Sequence, residues 1–313
     1  MGLFGKNKNT EKKNPEKLSA EASRHFAEAA GYLRYNNIPE AVKCMDRAIA
    51  ADAGNPLVWH EKGRLLALLK NEKHALACYD KAIELKPDSA VYYHNKGDVL
   101  MTFGHTAEAD KYFCKALEIA PDDVIFLTSH ATVLAKQGKY KEADEIMDKV
   151  CKLEPRATEH WFNRATMLYS AQKYDAAILC YKAAFEIAPG HAPSYFDCAN
   201  AYSKLGKYED AVFYYDKALK HEKTMTGAMN NKGMALSNLG RHEQAFDCFR
   251  RVLIARPYDA DTWYNKGYEL LCLERWSEAQ AAFNQALSYA DESKKELIAR
   301  AREKKAEAES HLE

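Results

Sequence analysis

The sequence predicts an all-α protein, a solenoid of eight helix pairs closed by a further helix at the C-terminus. One phrase recurs along the chain: WHEKGRLLA begins at Trp59, YHNKGDVLM at Tyr93, MNNKGMALS at Met229 and WYNKGYELL at Trp263. These starting points are separated by 34 residues or by four times 34. A fixed period of this length is typical of repeat architectures, in which each unit buries its apolar face against the next.

Counted from Ala22, the chain divides into eight units of 34 residues without insertion or deletion. The twentieth position is Ala in every unit, the eighth is Gly or Ala, and the twenty-fourth is large; in the third unit they are Ala109, Gly97 and Phe113. Small side chains let two helix backbones approach, and the large side chain fills the space between them. Each unit is therefore predicted to be two closely packed helices. The units are 22–55, 56–89, 90–123, 124–157, 158–191, 192–225, 226–259 and 260–293.

Glycine and proline mark the predicted helix ends. Glycine is frequent at the fifteenth position, where it suits the turn after the first helix. Proline is frequent at the thirty-second, where it ends the second helix. The glycines are Gly104, Gly138, Gly206 and Gly240, and the prolines are Pro87, Pro121, Pro155, Pro189 and Pro257.

This pattern of an aromatic residue at position 4, small residues at 8, 20 and 27, a large residue at 24 and proline at 32 closely resembles the tetratricopeptide repeat. The resemblance covers residues 22–293. It implies a right-handed superhelix of eight units, with the first helices lining a concave groove and the second helices forming the outer wall.

The two ends of the chain differ from the repeats. Residues 1–21 are rich in lysine and polar residues, and this basic tail is expected to be disordered. Residues 294–313 resemble the helix that closes such arrays, with Leu297, Ile298 and Ala301 available to cover the last apolar face.

Composition excludes several classes of function. Lys plus Arg and Asp plus Glu number 45 each, so the formal net charge is zero, which disfavours a nucleic-acid partner. No apolar run approaches the roughly 18 residues of a membrane span, and the N-terminus lacks the apolar region of a signal peptide. The eight cysteines form no CxxC pair, which indicates reduced thiols in a cytoplasmic protein.

No enzyme, cofactor or metal site is predicted. The sequence has no glycine-rich phosphate loop, no HExxH and no nucleophile elbow. Four cysteines share the twenty-third position and are interpreted as small buried residues: Cys44, Cys78, Cys180 and Cys248. His60 and His94 share the fifth position in successive units, roughly 10 Å apart by helix packing, so one metal cannot bridge them.

The resemblance implies that the residues facing a ligand are chiefly those at positions 2, 5, 6, 9, 12 and 13 of each unit. No unit has Lys at position 5, so the carboxylate clamp for acidic chaperone tails is absent. Instead, asparagines at position 6 resemble the amide ladder of relatives that hold extended polypeptide, since each amide offers a donor and an acceptor; the alternative is that they contact only water. The candidate peptide-binding residues are His60, Arg64, His94, Asn95, Asp98, Phe162, Asn163, Thr166, Phe196, Asn200, Asn230, Asn231, Tyr264, Asn265 and Tyr268.

The leading functional hypothesis is a non-enzymatic scaffold or adaptor that binds an extended peptide or partner segment in the groove. The partner is a protein or peptide of unidentified sequence, with no nucleic acid and no membrane, and the chain itself is expected to be a monomer or a weak homo-oligomer. The alternative is a self-associating scaffold that stacks end to end or dimerises through the eighth unit, where Trp276, Leu271 and Leu273 supply apolar surface.

Overall fold

The computed structural model describes residues 17–312, and within that range it contains α-helices and no strands. The predicted all-α class is therefore confirmed. The described residues divide into two compact bodies, one that ends at Val150 and one that begins at Cys151. Each described body is a stack of helical repeats, and the two are treated separately below.

The helices follow the predicted units. The first eight in chain order are α1 (Ala20–Arg34), α2 (Ile38–Ala51), α3 (Pro56–Leu68), α4 (Glu72–Leu85), α5 (Ala90–Thr102), α6 (Thr106–Ile119), α7 (Val124–Lys136) and α8 (Tyr140–Leu153). They are followed by α9 (Thr158–Ser170), α10 (Tyr174–Ile187), α11 (Ala192–Lys204), α12 (Tyr208–His221), α13 (Thr226–Asn238), α14 (His242–Ala255), α15 (Ala260–Cys272), α16 (Trp276–Tyr289) and α17 (Lys295–Ser310). None of those in the described range is both long enough and apolar enough to cross a membrane.

In the predicted units other than 124–157, the first and the second helix pack on each other, as α5 does on α6 and α11 on α12. The second helix then packs on the first helix of the next unit, as α4 does on α5 and α12 on α13. Helix α1 begins at Ala20, so the last two residues of the predicted disordered tail are helical. Residues 1–16 of that tail lie outside the described residues.

The close approach predicted between the eighth and twenty-fourth positions is confirmed. A Cβ built on Gly97 would lie 2.7 Å from Phe113 Cε1, and one on Gly267 would lie 2.8 Å from Phe283 Cε1. Both phenylalanine rings are buried, at 1% and 0% exposed, and have no room to move aside. The first helix can therefore lie against the second only because the glycine has no side chain.

The fifteenth position adopts a left-handed backbone in every predicted unit, with or without glycine. Four units have glycine there, with φ between 71° and 89°. The other four have ordinary side chains in the same conformation: Asn36 (φ 55°), Lys70 (φ 60°), Gln172 (φ 60°) and Glu274 (φ 57°). The turn itself, rather than the residue, imposes this conformation.

The second helix ends at the same place whether or not proline follows. Helix α4 ends at Leu85, two residues before Pro87, and α2 ends at Ala51, two residues before Ala53. A tryptophan at the fourth position of the next unit donates to the carbonyl of this thirty-second residue. The pairs are Trp59 Nε1 to Ala53 O (2.9 Å), Trp161 Nε1 to Pro155 O (3.0 Å) and Trp263 Nε1 to Pro257 O (2.8 Å).

Helix α17 closes the second body. Ala301 and Ala308 are fully buried on it, and Leu297 packs against the same cluster, which includes Phe283. Gln280 Nε2 of α16 donates to Glu309 Oε1 at 2.8 Å. Leu297, Ala301 and Ala308 thus cover part of the apolar surface of the second body, whereas Ile298 is half-buried and does not belong to this cluster.

We expect Gly97→Ala to lower the free energy of unfolding by about 1–3 kcal/mol, because the added methyl group overpacks the buried Phe113 ring. The matched control is Gly31→Ala in α1, where nothing lies within 4 Å of the added Cβ. That control should gain up to about 1 kcal/mol from the higher helix propensity of alanine. Urea denaturation followed by circular dichroism measures both, and equal effects would contradict the close-approach argument.

Gln172→Gly should raise the free energy of unfolding by about 0.5–1 kcal/mol, since glycine removes the strain of a side chain in the left-handed region. Asn36→Gly should gain less, because asparagine tolerates this region better than glutamine. The same denaturation measurement compares them. A loss of stability in Gln172→Gly would show that the turn holds its residue without strain.

Candidate functional site

Within each body, several first helices of neighbouring units contact one another. In the first body α5 contacts both α3 and α7; in the second body α11 contacts α9 and α13, and α15 contacts α13 and α17. The candidate residues at the fifth, sixth and ninth positions are all on these helices. Within each body they therefore belong to one layer.

In the first body, three candidate residues form a hydrogen-bonded chain across the first helices. Asn95 Nδ2 donates to His60 Nε2 (2.6 Å), and Asn95 Oδ1 accepts from His94 Nδ1 (3.2 Å). His94 Nε2 lies 2.9 Å from Ser129 Oγ of the next first helix. The imidazoles are buried, 7% and 6% exposed, so these residues join the helices together and the Asn95 amide is already paired.

Two further candidates of the first body, Arg64 and Asp98, are exposed. Arg64 Nε donates to Glu61 Oε2 at 2.9 Å. Burial tends to raise the pKa of Glu61, but the hydrogen bond with His60 and the charge of Arg64 outweigh it and hold the pKa below its ordinary value. Arg64 thus presents a guanidinium whose charge is balanced by a neighbour.

A second network joins the first helices α11 and α13 in the second body. Asn200 Oδ1 accepts from Tyr215 Oη (2.7 Å) and from Asn231 Nδ2 (2.9 Å), while its Nδ2 donates to Asp197 Oδ1 (3.2 Å). Asn230 Nδ2 in turn donates to Asn231 Oδ1 at 3.5 Å. Burial raises the pKa of Asp197, although the bond from Asn200 opposes the shift. The amides of Asn200 and Asn231 are consequently engaged within the protein.

Asn163 and Asn265 differ from the other asparagines of the sixth position. Asn163 is exposed and Asn265 is half-buried, on α9 and α15 respectively. Within residues 17–312 neither side-chain amide has a hydrogen-bond partner. These two amides therefore have a donor and an acceptor available to an incoming chain.

The aromatic candidates of the second body range from buried to exposed. Phe162 is half-buried, with ring centroids 5.8 Å from Tyr181 and 5.2 Å from His191. Phe196 is also half-buried, 6.1 Å from Tyr215. Thr166 is exposed, and its hydroxyl donates to the Phe162 carbonyl at 3.0 Å. Each phenylalanine thus keeps one part of its ring at the surface.

A cavity of ≈ 250 Å³ lies among α13, α15 and α17 and brings three candidates together. They are Tyr264, Asn265 and Tyr268, of which Tyr268 is 37% exposed and Tyr264 is 6% exposed. The exposed guanidinium of Arg300 lies over the Tyr264 ring, 4.9 Å from its centroid. This first-helix cavity has both aromatic and polar side chains in its walls and one cationic edge.

Four residues that line the first-helix cavity were not selected from the sequence: Ser237, Asn238, Glu269 and Arg300. Arg300 falls at position 7 if the 34-residue register is continued into the capping helix. That position is not among those that the resemblance gives as ligand-facing, whereas Ser237 and Asn238 are at positions 12 and 13, which it does give. Glu269 is 1% exposed, and its carboxylate accepts a hydrogen bond from His242 Nδ1 at 2.8 Å, so it has a partner inside the protein.

Every cysteine carries a free thiol in the structure. The four at the twenty-third position are buried, as the sequence predicts. Burial raises the pKa of Cys198 to about 12, and burial together with the carboxylates of Asp110 and Glu118 raises the pKa of Cys114. These thiols are held protonated, which makes them weak nucleophiles.

The surface proposed for self-association is largely covered. Leu271 is 8% exposed, and Trp276 is half-buried with its ring stacked on His311 at 4.1 Å. Leu273 is half-buried as well. The cap and its following turn therefore occupy much of the apolar area that the alternative requires.

Family models described as the tetratricopeptide repeat match most of the middle of the chain. One matches residues 57–89, 90–123 and 126–156, a second 156–221, and a third 196–260. The first two segments agree with the predicted units 56–89 and 90–123 to within one residue. The predicted unit 22–55 and the part of the last unit beyond residue 260 lie outside the matches, so the count of eight remains a prediction.

Several solved structures are similar to this chain. YrrB, a TPR protein with an unusual peptide-binding site, is 26% identical, with a TM-score of 0.50 over 60% of this chain and 97% of that one. A tetratricopeptide repeat protein from Parabacteroides merdae is 15% identical, with a TM-score of 0.59 over 82% and 98%. MamA is 21% identical, with a TM-score of 0.50 over 55% and 94%. No curated protein matches by sequence.

The paired and unpaired amides are expected to differ in how much they contribute to stability. We expect Asn95→Ala to lower the free energy of unfolding by about 1–3 kcal/mol, because two buried imidazoles lose their partner. Asn265→Ala removes an amide that has no partner and should change it by less than about 0.5 kcal/mol. Urea denaturation of the two variants tests this, and similar losses would mean that Asn265 also supports the fold.

Proposed function

Because the chain belongs to the tetratricopeptide repeat family, we propose that it is a non-enzymatic scaffold that holds an extended segment of a partner protein on its first helices. Proteins of this family mediate protein–protein interaction, and the fold is typically a non-enzymatic interaction scaffold. YrrB, with a similar fold, has a peptide-binding site. The observation that carries the proposal for this chain is the pair of unengaged amides at Asn163 and Asn265.

An amide with no internal partner can serve any extended segment. Its NH₂ donates to a backbone carbonyl and its carbonyl accepts from a backbone N–H, whatever the partner's side chains are. Asn163 and Asn265 lie three units apart in the second body. At roughly 10 Å per unit, the span is about 30 Å, or about nine residues of extended chain.

The surface beside these amides supplies apolar contact. Next to Asn163, the Phe162 ring is half-buried, and next to Asn265 the first-helix cavity is walled by Tyr264 and Tyr268. Aromatic side chains that are held in place by packing are common anchors of binding because little entropy is lost on contact. Apolar side chains of the partner are expected to enter here.

The exposed Arg300 guanidinium favours one direction for the bound segment of the partner. It lies at the edge of the first-helix cavity, over the Tyr264 ring. A carboxylate of the partner near this end would meet a cation that is already oriented by stacking. We therefore expect a partner with an acidic group at the end that contacts α17.

A library of random twelve-residue peptides, selected against the full chain, tests the proposal. The strongest selected peptide is synthesised with a fluorescent label, and its affinity is measured by fluorescence polarisation. The double variant Asn163→Ala with Asn265→Ala should bind at least tenfold more weakly, since each amide gives up two hydrogen bonds of about 1 kcal/mol. The matched control Asn284→Ala alters an exposed asparagine on the second helix α16 and should bind like the unmodified chain.

Two results would contradict the proposal. Unchanged affinity in the double variant would show that the amides of Asn163 and Asn265 do not bind the peptide. Loss of affinity in the Asn284→Ala control would show that the peptide binds on the second helices instead. Light scattering over a concentration series tests the self-association alternative, which requires mass to rise with concentration. A constant monomer mass would exclude the self-association alternative and would leave the partner-binding scaffold as the remaining hypothesis.

A further inference from the structure

A recurring ion pair joins successive units in both bodies. It forms between an aspartate at the twenty-fifth position and a lysine at the seventh position of the next unit. Asp46 pairs with Lys62 at 2.6 Å, Asp80 pairs with Lys96, and in the second body Asp216 pairs with Lys232 at 2.6 Å. The lysine stems lie against the neighbouring helix, and the charges meet at the edge of the junction.

The junction of the third and fourth predicted units replaces both members of this pair. Its twenty-fifth residue is Cys114 on α6 and its seventh is His130 on α7. Asp110 lies one turn before Cys114 on α6, so that its carboxylate and the thiol lie on one face. Three different metal-ligating side chains, one carboxylate, one thiol and one imidazole, thereby meet at a single junction.

The three ligand atoms converge on one point. His130 Nε2 lies 2.9 Å from Asp110 Oδ1 and 3.6 Å from Cys114 Sγ, and Cys114 Sγ lies 4.0 Å from Asp110 Oδ1. Tetrahedral zinc with ordinary bond lengths separates such donors by about 3.4–3.6 Å. The three observed distances, from 2.9 to 4.0 Å, bracket these values. Shifts of about half an ångström would therefore bring all three ligand atoms to the separations that tetrahedral zinc requires.

The arrangement differs from a catalytic Cys-His-Asp relay. A relay needs one ring nitrogen toward the thiol and the other toward the carboxylate. Here a single atom, His130 Nε2, faces both Cys114 and Asp110. Convergence on one nitrogen suits coordination of a shared ion rather than transfer of a proton through the ring.

We propose that Asp110, Cys114 and His130 bind a Zn²⁺-class transition metal ion. Thiolate and imidazole are the ligands that this class of ion prefers over Ca²⁺ or Mg²⁺. Binding releases the thiol proton and takes the lone pair of His130 Nε2. Three protein ligands leave a fourth tetrahedral position for water or for a ligand from outside.

Neighbouring groups orient the carboxylate. Gln137 Nε2 lies 3.4 Å from the other carboxylate oxygen, Asp110 Oδ2, and 3.2 Å from the Thr106 carbonyl. Lys139 Nζ lies 3.6 Å from the same oxygen. Such outer partners fix a ligating carboxylate and strengthen metal affinity. They leave Asp110 Oδ1 directed toward His130.

The site is accessible to an ion from solution. Cys114 is exposed, and the side chains of Asp110 and His130 are 19% and 15% exposed. Because the Cys114 side chain is exposed, an ion from solution can reach the thiol directly.

The test uses the full chain with Zn²⁺ and with Co²⁺ as the probes. Zn²⁺ affinity is measured by competition with a chromophoric chelator, and thiolate coordination by the ultraviolet charge-transfer band of bound Co²⁺. The double variant Cys114→Asp with His130→Lys introduces the aspartate and lysine that pair at three other junctions and is therefore expected to fold. We expect one Zn²⁺ per unmodified chain, at least tenfold weaker binding in the double variant, and loss of the Co²⁺ thiolate band.

Cys272→Ser is the matched control, because this thiol is half-buried on α15 and should leave both signals unchanged. Equal Zn²⁺ affinity in the unmodified chain and the double variant, or absence of the Co²⁺ thiolate band, would overturn the proposal. Should the double variant unfold, the single change Cys114→Ser at an exposed position decides by the same two signals. Neither outcome depends on the peptide measurements, which concern first-helix residues of the second body.

Discussion

The close contact between a glycine or alanine at the eighth position and a large side chain at the twenty-fourth sets the spacing of every helix pair that contains it. Where the ring of Phe113 lies against Gly97, no atom fits between the two helices. Because the ring is buried between the two helices, its size sets how closely they can approach. The positions of the side chains on the first helix follow from this spacing, so the packing in each unit determines which surface residues neighbour one another.

The sequence predicts this part of the structure well because the contacts concerned are local and recur at a fixed period. The positions of the paired helices and the role of Gly97 follow from the 34-residue register alone. Two features of the turns do not follow from it. Lys70 and Gln172 adopt the left-handed conformation that glycine favours, and α2 ends at Ala51, the expected position, although no proline follows it. In both cases the geometry of the neighbouring helices overrides the preference of the single residue.

The candidate site is less predictable because its chemistry depends on which residues meet across units. Position alone makes Asn95 and Asn265 equivalent, yet Asn95 lies beside two buried histidines while Asn265 borders a cavity. An amide becomes available for binding only when the fifth and ninth positions of the adjacent unit supply no partner. Arg300 is not predictable from the sequence for a similar reason, since its place at the cavity depends on the contact that α17 makes with Tyr264 of α15.

The same reasoning explains why departures from the repeat carry the most functional information. Positions 8, 20 and 24 are constrained by helix contact, so a change there alters the spacing of the pair. The twenty-fifth and seventh positions meet at the edge of a junction, where Asp80 with Lys96 and Cys114 with His130 occupy equivalent places. Such a junction does not require an ion pair, since the seventh and eighth predicted units have two cations, Arg250 and Lys266, at these positions. It can therefore exchange an ion pair for a thiol and an imidazole while the helices keep their packing, which leaves the chemistry of the junction free to vary.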